Sequence, residues 1–233
     1  MKYKLPRPVY NEEVIALLHR EMKKQKYAPP KVSLKALKQL VGILEIIKKQ
    51  GLPDHLVLKK LPEPMGWGIF LHPKAKAIPR GDAIAIYSGD VVISPQNIAD
   101  ESAYAFAPIE DMTLTKLEQP LFDKKHTHHA RRLYSFNIDA AKDGNFTRFI
   151  NHSEKPNVEA RLLEIPVNKL GLHPAPIEVV YFAKKNILPS QQLLVSYEDG
   201  EACYWSVLGI KPEPILPGSF TIDESLKLID HRT

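Results

Sequence analysis

The sequence predicts a mainly β fold preceded by a helical N-terminal element, and three observations carry that prediction. Apolar residues recur at helical spacing only in roughly the first fifth of the chain. From about Asp54 they gather instead in short apolar or alternating pieces of about four to eight residues, separated by Gly, Pro and Asp. The 233 residues include 20 prolines, well above the average usage, which favours many short segments and turns.

Asn11 can cap a first helix that carries Val14, Ile15, Leu17, Leu18 and Met22 along one side, with Glu12 and Glu13 in its electropositive first turn. Pro29-Pro30 interrupts. Ser33 can cap a second helix with Leu34, Leu37, Leu40, Val41, Leu44 and Ile47 in a stripe, ended by Lys48, Lys49, Gly51 and Pro53. Both stripes must be buried, on the following domain or on a second copy of the chain, so a homodimer is one expectation. The pieces GWGIFLHP, AIAIYSGDVVI, RLYSFNIDA, IEVVYFAKKNI and QLLVSY read as strands. Residues 94–130 lack clear periodicity. Their His126, His128 and His129 stand without a carboxylate or thiolate pattern, so they read as a solvated loop and not as a metal site. The tail KPEPILPGSF reads as a linker, and Thr221 with Glu224 can box a last short helix to about Ile229. The expected division is a basic helical element over 1–53, a β-rich domain over 54–210, and a linker with a short helix over 211–233.

The formal charge of +5 comes from 32 Lys and Arg against 27 Asp and Glu. It is unevenly placed: Met1 to Leu52 hold 12 basic and 4 acidic residues, whereas the rest of the chain is net −3. The basic helices are either a solvated surface or a docking arm for nucleic acid. No apolar run approaches the roughly 18 residues of a membrane span, and the N-terminus lacks the central apolar stretch of a secretory signal. One cysteine, Cys203, excludes an internal disulfide framework and a thiolate zinc cluster.

Four segments carry chemistry. Gly66-Trp67-Gly68 and Tyr87-Ser88-Gly89-Asp90 are, taken alone, turns beside strands, where glycine lets the backbone bend or approach a neighbour. Gly144-Asn145-Phe146-Thr147-Arg148-Phe149-Ile150-Asn151-His152-Ser153-Glu154-Lys155-Pro156-Asn157 mixes polar and aromatic side chains, as a hydrogen-bonded loop or a ligand pocket does. Gln192-Leu193-Leu194-Val195-Ser196-Tyr197 is a strand delivering a tyrosine, with Tyr204-Trp205 close behind.

RFINHSEKPN resembles the RFxNHSxxPN signature of SET-domain protein lysine methyltransferases, and the other three segments resemble, in order, that family's GxG, YxG and EELxxDY motifs. The resemblance covers about Leu56 to Ile210. It implies a SET β-clip fold of several small sheets with a C-terminal pseudo-knot, and methyl transfer from S-adenosylmethionine, leaving S-adenosylhomocysteine. By the same resemblance, Gly66, Trp67, Gly68, Arg148, Phe149, Asn151, His152 and Trp205 would bind the cofactor. Tyr197 would be the catalytic tyrosine, and Tyr87, Val195 and Tyr197 would line the lysine channel. No zinc is expected, because the family's cysteine-rich flanks are absent. The implied substrate is a basic, lysine-rich protein, histone or histone-like. The chain resembles the small stand-alone bacterial members, which implies the bacterial cytoplasm or delivery into a host cell and its nucleus. Three positions depart from the family pattern: Gln191-Gln192 replaces its Glu pair, Ser196 its Asp, and Val195 stands where an aromatic residue is common. These departures keep a second reading open, a non-catalytic module that holds lysine-bearing tails or tethers to chromatin or nucleic acid.

The residue types suit the chemistry. A lysine has a pKa of about 10.4 and must lose its proton before it can attack a methyl group. A dry aromatic channel favours the neutral amine by desolvation, and tyrosine hydroxyls can orient it.

Overall fold

The computed structural model describes residues 4–61, 66–96, 104–123, 132–166 and 172–197, and both expected N-terminal helices form within them. In α1 (Glu12–Lys24) the Asn11 side chain accepts from the Val14 N–H at 2.8 Å. In α2 (Leu34–Gln50) Ser33 accepts from the Ala36 N–H at 3.2 Å. Their stripes are buried on the chain's own sheets except at Leu34, in the first turn of α2, which is 64% exposed. Val14, Leu17, Leu18, Met22 and Ile47 share one core with Ile69, Phe136 and Val179, while Leu37, Leu40 and Leu44 pack with Ile86, Leu163 and Phe182 in another.

Ten strands follow among the described residues. β1 (Leu56–Lys60) pairs antiparallel with β2 (Trp67–Leu71). AIAIYSGDVVI, which reads as one strand, is divided at Tyr87–Gly89 into β3 (Ala83–Ile86) and β4 (Asp90–Pro95), and the two halves join different sheets. The stretch without periodicity is not all loop: it contains β5 (Ala105–Met112) and the short helix α3 (Gln119–Phe122). β6 (Tyr134–Asp139) lies between β4 and β5. A 3-10 turn (Phe146–Phe149) leads into β7 (Asn151–His152). β8 (Val158–Ile165), β9 (Ala175–Ala183) and β10 (Leu194–Val195) complete the order. The histidines near residue 126, Cys203, Tyr204, Trp205 and the expected C-terminal linker and helix lie outside the described residues.

β9 is the centre of the β3-β9-β8 sheet and all nine of its residues are buried. Both faces are covered, so its sequence is a near-continuous apolar run. The exception is Glu178, fully buried, which receives two hydrogen bonds from Arg7 and one from Tyr10. That contact straps the N-terminus across the sheet, and the Leu5 N–H continues the strap to Gly144 O at 3.0 Å.

The chain's last described segment is held between β2 and the 151–157 stretch. β10 pairs parallel with β7, Leu194 opposite Asn151 and Val195 opposite His152. On the other side the Leu193 N–H donates to Ile69 O at 2.8 Å. Asn157 ties the crossing: its Nδ2 donates to Gln192 O and its Oδ1 accepts from the Leu194 N–H, both at 2.8 Å. β7 and β10 are two residues each, too short to persist as free strands, so side-chain bonds carry the junction.

Candidate active site

The 3-10 turn is set by Asn145, which is fully buried. Its Oδ1 accepts from the Thr147 N–H at 3.0 Å and the Thr147 hydroxyl at 2.6 Å. Its Nδ2 donates to Ile86 O at 2.8 Å and Pro6 O at 3.3 Å. One side chain therefore joins the end of β3, the N-terminal strap and the start of the Arg148–His152 run.

That run reaches two of the other motif segments. Asn151 Nδ2 donates to Trp67 O at 3.0 Å, which joins the Gly66–Gly68 corner to the loop. His152 is 3% exposed, and its Nδ1 accepts from the Tyr197 N–H at 3.0 Å. A neutral imidazole that accepts at Nδ1 carries its proton on Nε2. The Tyr197 hydroxyl donates to Ile150 O at 2.9 Å, and its ring centroid lies 5.4 Å from that of His152. Tyr197 is thus attached at its backbone and at its hydroxyl to one short segment, while the side chain stays 43% exposed.

Tyr87 closes the other side. Its hydroxyl donates to Tyr104 O at 2.5 Å, and its ring lies 5.9 Å from Phe106 and from Tyr181. Burial first, then the nearby Tyr197, pushes its phenol well above the usual tyrosine value. Tyr181 is pushed up as well, by burial and then by Tyr87 and Tyr197. Tyr87 and Tyr181 are buried and share one electrostatic neighbourhood with the half-exposed Tyr197, so the buried side of the site disfavours an ammonium.

Arg148 donates to Ala140 O at 2.5 Å and Ala141 O at 3.1 Å, and its guanidinium lies 4.0 Å from the Tyr104 ring centroid. It braces the turn after β6 at the rim of the site. Phe149 and Trp67 are half-buried against the core, and Val195 is buried beside His152. Gly66 adopts φ 65° and a Cβ there would meet nothing within 4 Å, so open space adjoins Gly66. Among the expected site residues, only Trp205 lies outside the described ones. Sequence reading assigns no role to Tyr181, Asn145 or Asn157. Asn157 closes the recognisable string and Asn145 stands just before it, which is the signal that could have marked them, whereas Tyr181 sits inside an apolar run. Among the described residues no group of three or more His, Cys, Asp and Glu is placed to hold a metal ion.

Against known proteins, the family model described as SET domain matches residues 66–198, more than half of the chain. The chain belongs to the SET-domain family. The SET domain therefore contains all four motif segments, and α1, α2 and the N-terminal strap precede it. Its relatives include "Histone-lysine N-methyltransferase SETMAR" of Bos taurus, 29% identical over 63% of this chain and 42% of that protein. Another is "Histone-lysine N-methyltransferase, H3 lysine-9 specific SUVH5" of Arabidopsis thaliana, 30% identical over 65% of this chain and 16% of that protein. The chain thus spans less than half the length of these curated relatives. Among solved structures, Arabidopsis thaliana SUVH6 in complex with SAM is similar at 28% identity and a TM-score of 0.42, covering 64% of this chain and 28% of that one.

Proposed function

We propose that the protein transfers methyl groups from S-adenosylmethionine to lysine side chains of a basic, lysine-rich protein. The double attachment of Tyr197 to the Ile150–His152 segment carries this reading, because it fixes a phenol oxygen beside the loop that also holds Trp67.

The residues present fit the cofactor. Open space adjoins the Gly66-Trp67 corner. Asn151 has committed its Nδ2 to Trp67 O, so its Oδ1 is oriented to accept from an ammonium group. Trp67 and Phe149 are half-buried aromatic surfaces suited to a flat heterocycle. S-adenosylmethionine, when bound, supplies an electrophilic methyl group on a sulfonium. The chain's own residues do the rest. Buried Tyr87 and Tyr181 withhold water from the target amine and favour its neutral form. Tyr197, whose own proton goes to Ile150 O, turns its oxygen lone pairs outward to accept an amine N–H or weak C–H contacts. Orientation of this kind is worth large factors in rate without any acid–base pair.

The substrate class rests on charge and on kinship. The chain after Leu52 is net −3, which attracts a basic partner, and curated relatives are named for histone-lysine methylation. Core histones are therefore the first substrates to try. With labelled S-adenosylmethionine the wild-type protein is expected to label them. Asn151→Ala is expected to lower labelling by about 100-fold and to weaken cofactor binding in calorimetry. Undiminished labelling by that variant would contradict the placement of the cofactor.

A further inference from the structure

We infer that the protein carries a second interaction surface, a basic patch built from α2, the turn after β2 and the turn after β9, which docks on the phosphate backbone of duplex DNA. None of the four motif segments lies in it.

Bonds between distant parts of the chain assemble the patch. The turn after β2 (residues 72–82) contains Lys74, Lys76 and Arg80, and the turn after β9 contains Lys184 and Lys185. Ile78 and Ile187 exchange both backbone hydrogen bonds at 2.9 Å, which lays the two turns side by side. The Arg80 N–H donates to Asn186 Oδ1 at 2.9 Å, and the Gly81 N–H to Ala183 O at 2.8 Å. On the other side α2 joins. Lys35 Nζ donates to Asp82 Oδ1 at 2.6 Å, and Gln39 Oε1, next to Lys38 in the helix, accepts from the Ala83 N–H at 3.1 Å. All seven cations are exposed.

Their charge sets this surface apart from an ordinary solvated rim. Seven cations stand with one carboxylate, Asp82, a surplus of six on a chain whose whole formal charge is +5. The rest of the molecule is therefore slightly acidic, and the basicity is gathered in one place. Among the described residues Lys74, Lys76, Arg80, Lys184 and Lys185 pair with no carboxylate, whereas Arg7, Arg20 and Arg161 each do. Glu159, on neighbouring β8, is taken up by Arg161. Like charges gathered in this way repel one another and draw an anionic partner from solution.

Duplex DNA fits the arrangement. The patch offers separate, flexible cations from three segments, which suits a line of phosphates better than a single anion. The proposed substrate class, on which this choice of polyanion rests, points the same way. A histone-like protein is held on DNA, and a surface that grips the DNA leaves the acidic remainder of the domain to receive the lysine-bearing chain. Asp82 and Tyr87 stand at opposite ends of β3, about 15 Å apart along the strand, so patch and channel can be engaged together.

Fluorescence anisotropy of the full chain with a labelled duplex of mixed sequence tests the inference. Wild type is expected to bind, with affinity falling steeply between about 50 and 200 mM salt. Lys74→Gln/Lys76→Gln and Lys184→Gln/Lys185→Gln are each expected to flatten the salt slope by about two. The two pairs combined are expected to lose at least about tenfold in affinity, whatever the DNA sequence. Lys23→Gln/Lys26→Gln/Lys48→Gln/Lys49→Gln removes the same charge around the ends of α1 and α2 and is expected to stay within about twofold of wild type. Equal losses in the two quadruple variants would reveal an effect of net charge alone and overturn the inference. So would an unchanged salt slope, no binding by wild type, or tighter binding of phosphatidylserine vesicles than of the duplex. None of these readouts needs turnover. A protein that binds DNA through the patch yet labels no histone keeps this surface and loses only the methyl-transfer reading.

Discussion

At Gly89 a side chain has no place to go: a Cβ would stand 2.4 Å from the backbone carbonyl of Asp139. This contact lets β4 leave the line of β3 directly after Tyr87, so the glycine of the YSG segment serves the position of its tyrosine. Gly89→Ala is expected to cost about 1–3 kcal/mol in urea denaturation, and an unchanged midpoint would show that the Asp139 backbone yields freely. The family departures are also intelligible residue by residue. Gln192 acts through its carbonyl, which accepts from Asn157, and Gln191 accepts from the Leu188 N–H through its side-chain oxygen at 2.8 Å. Neither contact needs a negative charge, so the loss of the Glu pair leaves the crossing intact. Tyr197, Tyr87 and Asn151 were legible because they stand in motifs. Tyr181 was not, because a tyrosine within IEVVYFA reads as core until its neighbours are known.

α1 and α2 were the most legible elements, since a cap, a stripe and a stop signal agree in each. Ser33 illustrates the cap: Ser33→Ala is expected to lower stability by about 1 kcal/mol, read by thermal or urea unfolding, with no change implying that α2 is held by packing alone. The strands were legible where alternation or a buried run is unbroken, as in β6 and β9. β5 was not, because Pro108 interrupts it and its pairing with β6 shifts register between Phe106 and Ile109 and again before Met112. Such bulges erase the period of two that marks a strand. β8 was obscured differently: VEARLLEI has one partly open face and is not among the pieces that read as strands. The β7–β10 crossing is two residues long on each side and is visible only in three dimensions, through Asn157.

Across the whole molecule, the N-terminal strap and helices are bound into the domain that carries the site. Arg20 pairs with Glu21 and Glu118, which fastens α1 to the segment after β5. Arg7 pairs with Glu178 in the central strand. Burial pushes the Glu178 carboxyl up from 4.5 to about 7, against the pull of Arg7 and Tyr10. The folded protein therefore holds this proton more tightly than the unfolded chain. The stabilisation is full below about 4.5 and is lost as pH rises through about 7. Relative to wild type, Glu178→Gln is expected to gain on the order of 3 kcal/mol between acid and mildly alkaline pH, measured by urea denaturation. A difference independent of pH would contradict the raised value. The basic surplus of the first 52 residues belongs to these docked helices, while the site lies in the net-acidic remainder. The central claim, that Tyr197 and the Ile150–His152 segment form a lysine methyl-transfer site, is tested most directly by mass spectrometry of core histones incubated with S-adenosylmethionine and either wild type or Tyr197→Phe. The expected result is lysine methylation by wild type and a loss of about 100-fold or more in the variant, with cofactor binding retained. Equal methylation by both proteins, or none by wild type on any lysine-rich substrate, would contradict it.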